Sequence, residues 1–302
     1  MQYTRLLIAT LLAALATGCP ASKKSGVGDS GAASAVQSAS AQALPFAGHT
    51  LELFVGAASK PPTEDAALAF EQKTGAKLVL HFGGSGQMLS SLELSGRGDI
   101  YFPGSSDYMD LAKSKGDVVA DTEKRIVYLV PSINVPRGNP KGIHTLADLA
   151  KPKLRIGIAR PDAVCVGLYA VEVLERANLA ERVKPNIATN AESCEKDAQL
   201  VALGSVDAVL GWSVFEHWDP EHIETVWLDP AQVPRIGYIP IAVATRAKDR
   251  PLAEAFIAWV DTGEGKRAFE KWRYFTSVEA ARAHAQPDTP VGGTYSLPDR
   301  WK

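Results

Sequence analysis

The sequence carries little net charge, few cysteines and no long apolar run, and each shortage removes a class of function. The formal charge is -2 over 302 residues, with no long block of Lys and Arg. Nothing here offers an electrostatic footprint for a phosphate backbone, so nucleic-acid binding is excluded. A single apolar run, residues 6–16, has any claim on a membrane, and it is too short and wrongly flanked for a stable span. None of the three cysteines stands in C-x-x-C spacing, which argues against a zinc or redox motif. His217 and His222, spread around Asp219-Pro220, do not share a helical face and read as a solvated loop rather than a metal site. The G-x-S-x-G nucleophile elbow is also missing. Around Ser85 the fifth position is Gln87, and no histidine and carboxylate follow in a recognisable setting, so a serine hydrolase remains only a remote alternative.

The amino terminus reads as an address. Arg5 precedes the apolar run, and Thr17-Gly18-Cys19 closes it with small residues and a cysteine. That order describes an export signal over residues 1–18. Its end resembles a bacterial lipoprotein signal, which implies that Cys19 is lipidated and becomes the first residue of the mature chain. Residues 19–47 are rich in Ser, Ala, Gly and Gln and are expected to form a flexible tether.

With 46% hydrophobic residues the body can bury a full core, and its length allows two lobes. From His49 onward, strand-like and helix-like stretches alternate, the pattern of a mainly parallel, buried sheet. Residues 51–55 form a strand ending in Gly56-Ala57-Ala58-Ser59. Residues 64–74 carry a helical spacing that stops at Gly75, and residues 77–82 give a second strand. Phe82-Gly83-Gly84-Ser85-Gly86-Gln87 then turns into a helix. A third strand, residues 98–103, leads to Pro103-Gly104-Ser105-Ser106. Ligands of open α/β sheets sit beyond the carboxyl ends of the strands, so these three turns are expected to converge. A helix start presents unpartnered N–H groups and about half a positive charge, which suits an anion.

A second βα series follows residues 125–131. It comprises residues 154–159, a helix over 167–177, a helix over 191–203, and strands over 207–212 and 224–228. Another strand, residues 238–245, and two closing helices complete the chain. The expectation is an α/β chain of two lobes, residues 48–129 plus 243–302 and residues 130–242, joined by two crossing strands near residues 128–131 and 240–245. The cleft between the lobes becomes the site.

In order, Gly56-Ala57-Ala58-Ser59, Thr74-Gly75, Phe82-Gly83-Gly84-Ser85-Gly86 and Gly98-Asp99-Ile100-Tyr101-Phe102 resemble the periplasmic molybdate-binding proteins of ABC importers. So do Pro161-Asp162 with Gly167-Leu168-Tyr169-Ala170, the stretch 204–211, and Ile239-Pro240-Ile241-Ala242-Val243. The resemblance covers most of the mature chain. It implies a two-lobed type II periplasmic-binding-protein fold that closes over a tetrahedral oxyanion, without metal, cofactor or covalent chemistry. The ligand would be molybdate, tungstate or sulfate, and the receptor would be a monomer, held at the membrane by its lipid anchor, that delivers to a permease. By the same resemblance Ser59 and Ser85 donate from the first lobe, and Val166 and Gly211 from the second. The family's hinge tyrosine would complete the set; here the matching position is Ile239, and Tyr238, one residue earlier on a strand whose neighbours face opposite ways, is the candidate for that fifth ligand. The displaced tyrosine keeps open a receptor of the same fold for another anion or for ferric iron, using Tyr101, Tyr169 and Tyr238.

Two helix starts supply about one positive unit together, and each hydrogen bond to a charged acceptor adds about 1.5 to 3 kcal/mol. A pocket of neutral donors favours a fully ionised oxyanion over hydrogen phosphate, which also needs an acceptor; no carboxylate stands at the matched positions. Once Cys19 is set aside, Cys165 and Cys194 are an even pair in an exported chain and are expected to form a disulfide.

Overall fold

A computed structural model describes residues 44–302. The expected export segment 1–18, Cys19 and most of the expected tether 19–47 lie outside the described residues. The tether's last residues are in place: the Phe46 N–H donates to Thr74 O at 2.9 Å, and Leu44 lies against Gly75. Gly75 holds a φ of 75° where α1 stops, a backbone conformation that costs a side chain dearly.

The first sheet begins with three repeats of strand and helix. These are β1 (Thr50–Gly56), α1 (Lys60–Thr74), β2 (Lys77–Gly83), α2 (Ser85–Ser95), β3 (Ile100–Phe102) and α3 (Ser106–Lys115). Prolines in the first turn of α1 fit its start, where the missing N–H groups have no helical partner. β1 pairs in parallel with β2 and β3, and β4 (Lys124–Leu129) joins at the far edge.

The second sheet takes β5 (Pro131–Pro136), β6 (Ile156–Ala159), β7 (Ile187–Ala191), β8 (Ala208–Trp212) and β9 (Ile223–Trp227) in the order β7-β6-β8-β5-β9. Its helices are α4 (Cys165–Arg176), the short α5 (Ala180–Val183), α6 (Cys194–Ala202) and the short α7 (Phe215–Trp218). β10 (Gly237–Val243) returns between β3 and β4, and α8 (Arg250–Asp261), α9 (Gly263–Lys271) and α10 (Val278–Arg282) follow it.

Val130 alone separates β4 in one sheet from β5 in the other, so the chain first passes between the sheets there. The return crossing lies earlier than residues 240–245. β10 pairs with β4 from Gly237 to Ile241, Tyr238 facing Tyr128, and with β3 at Ala242 and Val243, so residues 237–242 belong to the first sheet. The end of the chain also departs from the expected first lobe: the His284 ring stacks on Trp227 of β9 at 3.7 Å, and Trp301 donates to Glu175 of α4. One apolar core is continuous from the first sheet across to α6, taking in Tyr101, Val164, Cys165, Val166 and Cys194. A second lies between the other face of the second sheet, α4 and the chain's end. Among the described residues no helix is long and apolar enough to cross a membrane.

Candidate functional site

The three turns at the ends of β1, β2 and β3 meet. A Cβ placed on Gly56 would come 2.6 Å from Gly104 N and 2.8 Å from Ser85 Oγ, so only a bare backbone fits there. Ser59 ends a single 3-10 turn after β1, fully buried, with its hydroxyl 3.4 Å from Gly56 O. Ser85 opens α2 and is also buried. Its Oγ accepts the Gly104 N–H at 3.0 Å, which leaves its own proton free to donate, and the Tyr101 hydroxyl fixes the turn by donating to Ser85 O at 2.8 Å.

The second lobe presents the start of α4 to this corner. The Gly86 N–H of α2 donates to Ala163 O at 2.9 Å, and Gly84 packs against Ala163, Val164 and Glu192. Lys60 reaches Glu195 of α6 at 2.6 Å. A hydrogen-bonded chain also crosses the cleft: the half-buried Trp218 donates through Nε1 to the Tyr274 hydroxyl at 3.2 Å, which donates to Ala58 O at 2.6 Å. The lobes are therefore closed on each other, with Ser59, Ser85 and Val166 in the buried seam. Gly211 lies on β8 opposite Ser132 of β5; a Cβ on it would come 2.3 Å from Asn134 Oδ1. The Ser132 hydroxyl and Asn134 Oδ1 are buried without a hydrogen-bond partner, as is the hydroxyl of Ser105.

Tyr238 is placed elsewhere. Its ring lies over the Arg125 guanidinium at 4.6 Å and against Gly292, and burial pushes its phenol up. The three tyrosines weighed for iron are likewise apart: Tyr101 serves Ser85, Tyr169 lies under Arg235 at 3.9 Å, and Tyr238 is beside Arg125. Among the described residues no three His, Cys, Asp or Glu side chains are grouped to hold a metal ion. His222 is exposed and pairs with Asp219 at 2.8 Å. Asp162 and Glu192 both turn to Arg160 at the rim, exposed to solvent, rather than into the seam.

The expected disulfide is not formed. Cys165 and Cys194 are free thiols with their sulfurs 3.7 Å apart, against about 2.05 Å for a bond. Each is the first residue of its helix. Burial pushes the Cys194 thiol well up.

Two residues of the seam were not singled out in the sequence. Tyr274 lies 216 positions from its partner Ala58, a separation no local pattern encodes. Asp197 is fully buried on α6 with neither carboxylate oxygen hydrogen-bonded, and burial pushes its carboxyl well above the usual range. Its position three residues after Cys194 looks like an ordinary helix-start acid; only the packing of α6 seals it.

The chain belongs to the bacterial extracellular solute-binding protein family, whose sequence model matches residues 51–274. It is 30% identical over 160 residues to a putative binding protein of Haemophilus influenzae, covering 53% of this chain and 64% of that one, so the chain spans less than two thirds of that relative. Against the molybdate-binding protein ModA of Rhodobacter capsulatus the identity is 22%, over 78% of this chain and 91% of the relative. In structure it resembles the sulfate-binding protein SubI of Mycobacterium tuberculosis, with a TM-score of 0.68 at 16% identity over 78% of this chain and 89% of that one. The fold is the two-lobed α/β type II periplasmic-binding-protein fold, and the family's members are solute-binding proteins of transport.

Proposed function

We propose that this chain is the receptor of an ABC importer that closes its interlobe cleft over a small tetrahedral oxyanion, molybdate, tungstate or sulfate, and passes it to the permease. The observation that carries this reading is the meeting of two buried serines, Ser59 and Ser85, at strand ends directly against the start of α4 with Val166. Ser85 is the pivotal donor, because Gly104 already fills its acceptor role and leaves its hydroxyl proton for the ligand. Ser59, Val166 and Gly211 complete the set, with Tyr238 outside it. The receptor acts as a monomer tethered through a lipid on Cys19, which holds the domain within reach of the permease; no cofactor or catalytic step is needed.

Titration calorimetry and native mass spectrometry of the reduced chain against molybdate, tungstate, sulfate and phosphate test the reading. Ser85→Ala is expected to weaken the preferred anion by about 1.5 to 3 kcal/mol, roughly ten- to a hundredfold in Kd. Heat from none of the four anions would sink the oxyanion reading, and unchanged affinity in Ser85→Ala would remove Ser85 from the site.

A further inference from the structure

We propose that Cys165 and Cys194 form a dithiol subsite in the wall of the cleft that takes a trivalent arsenic or antimony oxyacid by exchanging two of its hydroxyls for two thiols. This rests on the reading of the seam as a ligand cleft.

The Cys165 sulfur faces the opposite lobe across the seam. A Cβ on Gly104, in the opposite lobe, would come 2.5 Å from the Cys165 sulfur and 2.7 Å from the Ala58 side chain. Opening the lobes therefore uncovers Cys165, and closing them seals it. Cys165 directly precedes Val166, the donor assigned above to the oxyanion, and its sulfur lies 3.7 Å from that of Cys194, so the pair stands beside the anion site.

The spacing selects the kind of centre. Sulfurs 3.7 Å apart, each bonded at about 2.3 Å to one shared atom, subtend an angle of about 107° there. That suits a pyramidal or tetrahedral centre; a linear two-coordinate cation would hold its sulfurs roughly 4.6 Å apart. A tetrahedral metal would need further protein ligands, and among the described residues no third His, Cys, Asp or Glu completes such a group. A pyramidal trivalent centre brings its own hydroxyl and needs none.

The chemistry balances without a co-reactant. Arsenous acid and two S–H groups give two As–S bonds, one remaining As–OH and two waters; two As–O and two S–H bonds break, and arsenic stays trivalent. The reaction runs from neutral thiols, as the buried Cys194 provides, and leaves no net charge in the closed seam. Asp197 is the independent sign of a ligand. It is fully buried with both oxygens unpartnered, one turn after Cys194 on the same face of α6. A carboxyl there serves the hydroxyl that remains on arsenic.

The test is native mass spectrometry and thiol titration of the full chain, reduced and held anaerobic, with arsenous acid. One arsenic per chain is expected, with a mass gain of arsenous acid less two waters and the loss of two thiols, those of Cys165 and Cys194. Cys165→Ala and Cys194→Ala should each abolish the adduct, with Cys165→Ser and Cys194→Ser checked by thermal melting as folded counterparts. No adduct, an adduct that survives in either variant, or a chain two hydrogens short that resists reduction would overturn the dithiol subsite. If arsenic bridges both cysteines while none of the four anions binds, the dithiol stands and the oxyanion reading falls. If molybdate binds and arsenic does not, the reverse holds.

Discussion

Arg235→Met is expected to destabilise the protein by about 3 to 5 kcal/mol in urea unfolding, the cost of stranding buried carboxylates without their counter-charge. Arg235, between β9 and β10, is 4% exposed. Its guanidinium bonds Asp107 of α3 through two nitrogens at 3.0 Å each, Glu172 of α4 through Nε at 2.7 Å, and Gly293 O at 2.7 Å. It also lies on the Tyr169 ring. One side chain thus ties the first lobe, the second lobe and the chain's end together: it bonds two buried carboxylates, of which Asp107 has Arg235 as its partner while Glu172 also pairs with the exposed Arg176 at 2.9 Å. The planar fork makes this possible: a lysine ammonium cannot serve two carboxylates and a ring at once, so Arg235→Lys should recover only a minor part of the loss. Arg235→Met placed on Asp107→Asn with Glu172→Gln should recover most of it, because the neutral pair no longer needs the charge. If Arg235→Met alone costs under about 1 kcal/mol, the network is solvated in solution and the tie does not hold the lobes.

Asp197→Asn is expected to change the pH dependence of stability. Burial raises the Asp197 carboxyl well above 3.8, so between the unfolded and folded values the native state keeps a proton that the unfolded chain has released. Its contribution is fully present below the unfolded value and is lost as pH rises, by about 1.4 kcal/mol per pH unit until the folded value is reached. The wild-type unfolding free energy should therefore carry that downward slope from about pH 4 upward. Asp197→Asn, which cannot ionise, should flatten it and gain on the wild type toward neutral pH. Parallel profiles for the two proteins would mean that water or a cation reaches Asp197 in solution.

Much of the architecture was legible locally. The alternation of apolar strands with helices stopped by glycine marks each βα unit of the first lobe, and the turns after β1, β2 and β3 were placed correctly at one corner. Strand β7 was missed because its residues alternate between half-buried and exposed at a sheet edge, leaving little apolar signal. The return crossing was misplaced because β10 is buried along its whole length, so hydrophobicity does not show where the sheet changes. The cysteine pair was assigned a bond from its even count and exported setting, whereas the start of each helix sets the sulfurs at a non-bonded distance.

The sequence by itself determined the repeated strand–turn–helix units, the serines at their turns and the family to which they belong, because each depends on residues within one or two turns of chain. Only the tertiary structure decided what shares the seam. Tyr274 reaches Ala58, Arg235 joins Asp107 to Glu172, the Cys165 sulfur and Ser85 Oγ both lie against Gly104, and Asp197 is sealed on α6. These contacts join positions tens to hundreds of residues apart, and the burial that shifts their chemistry exists only once both lobes have packed.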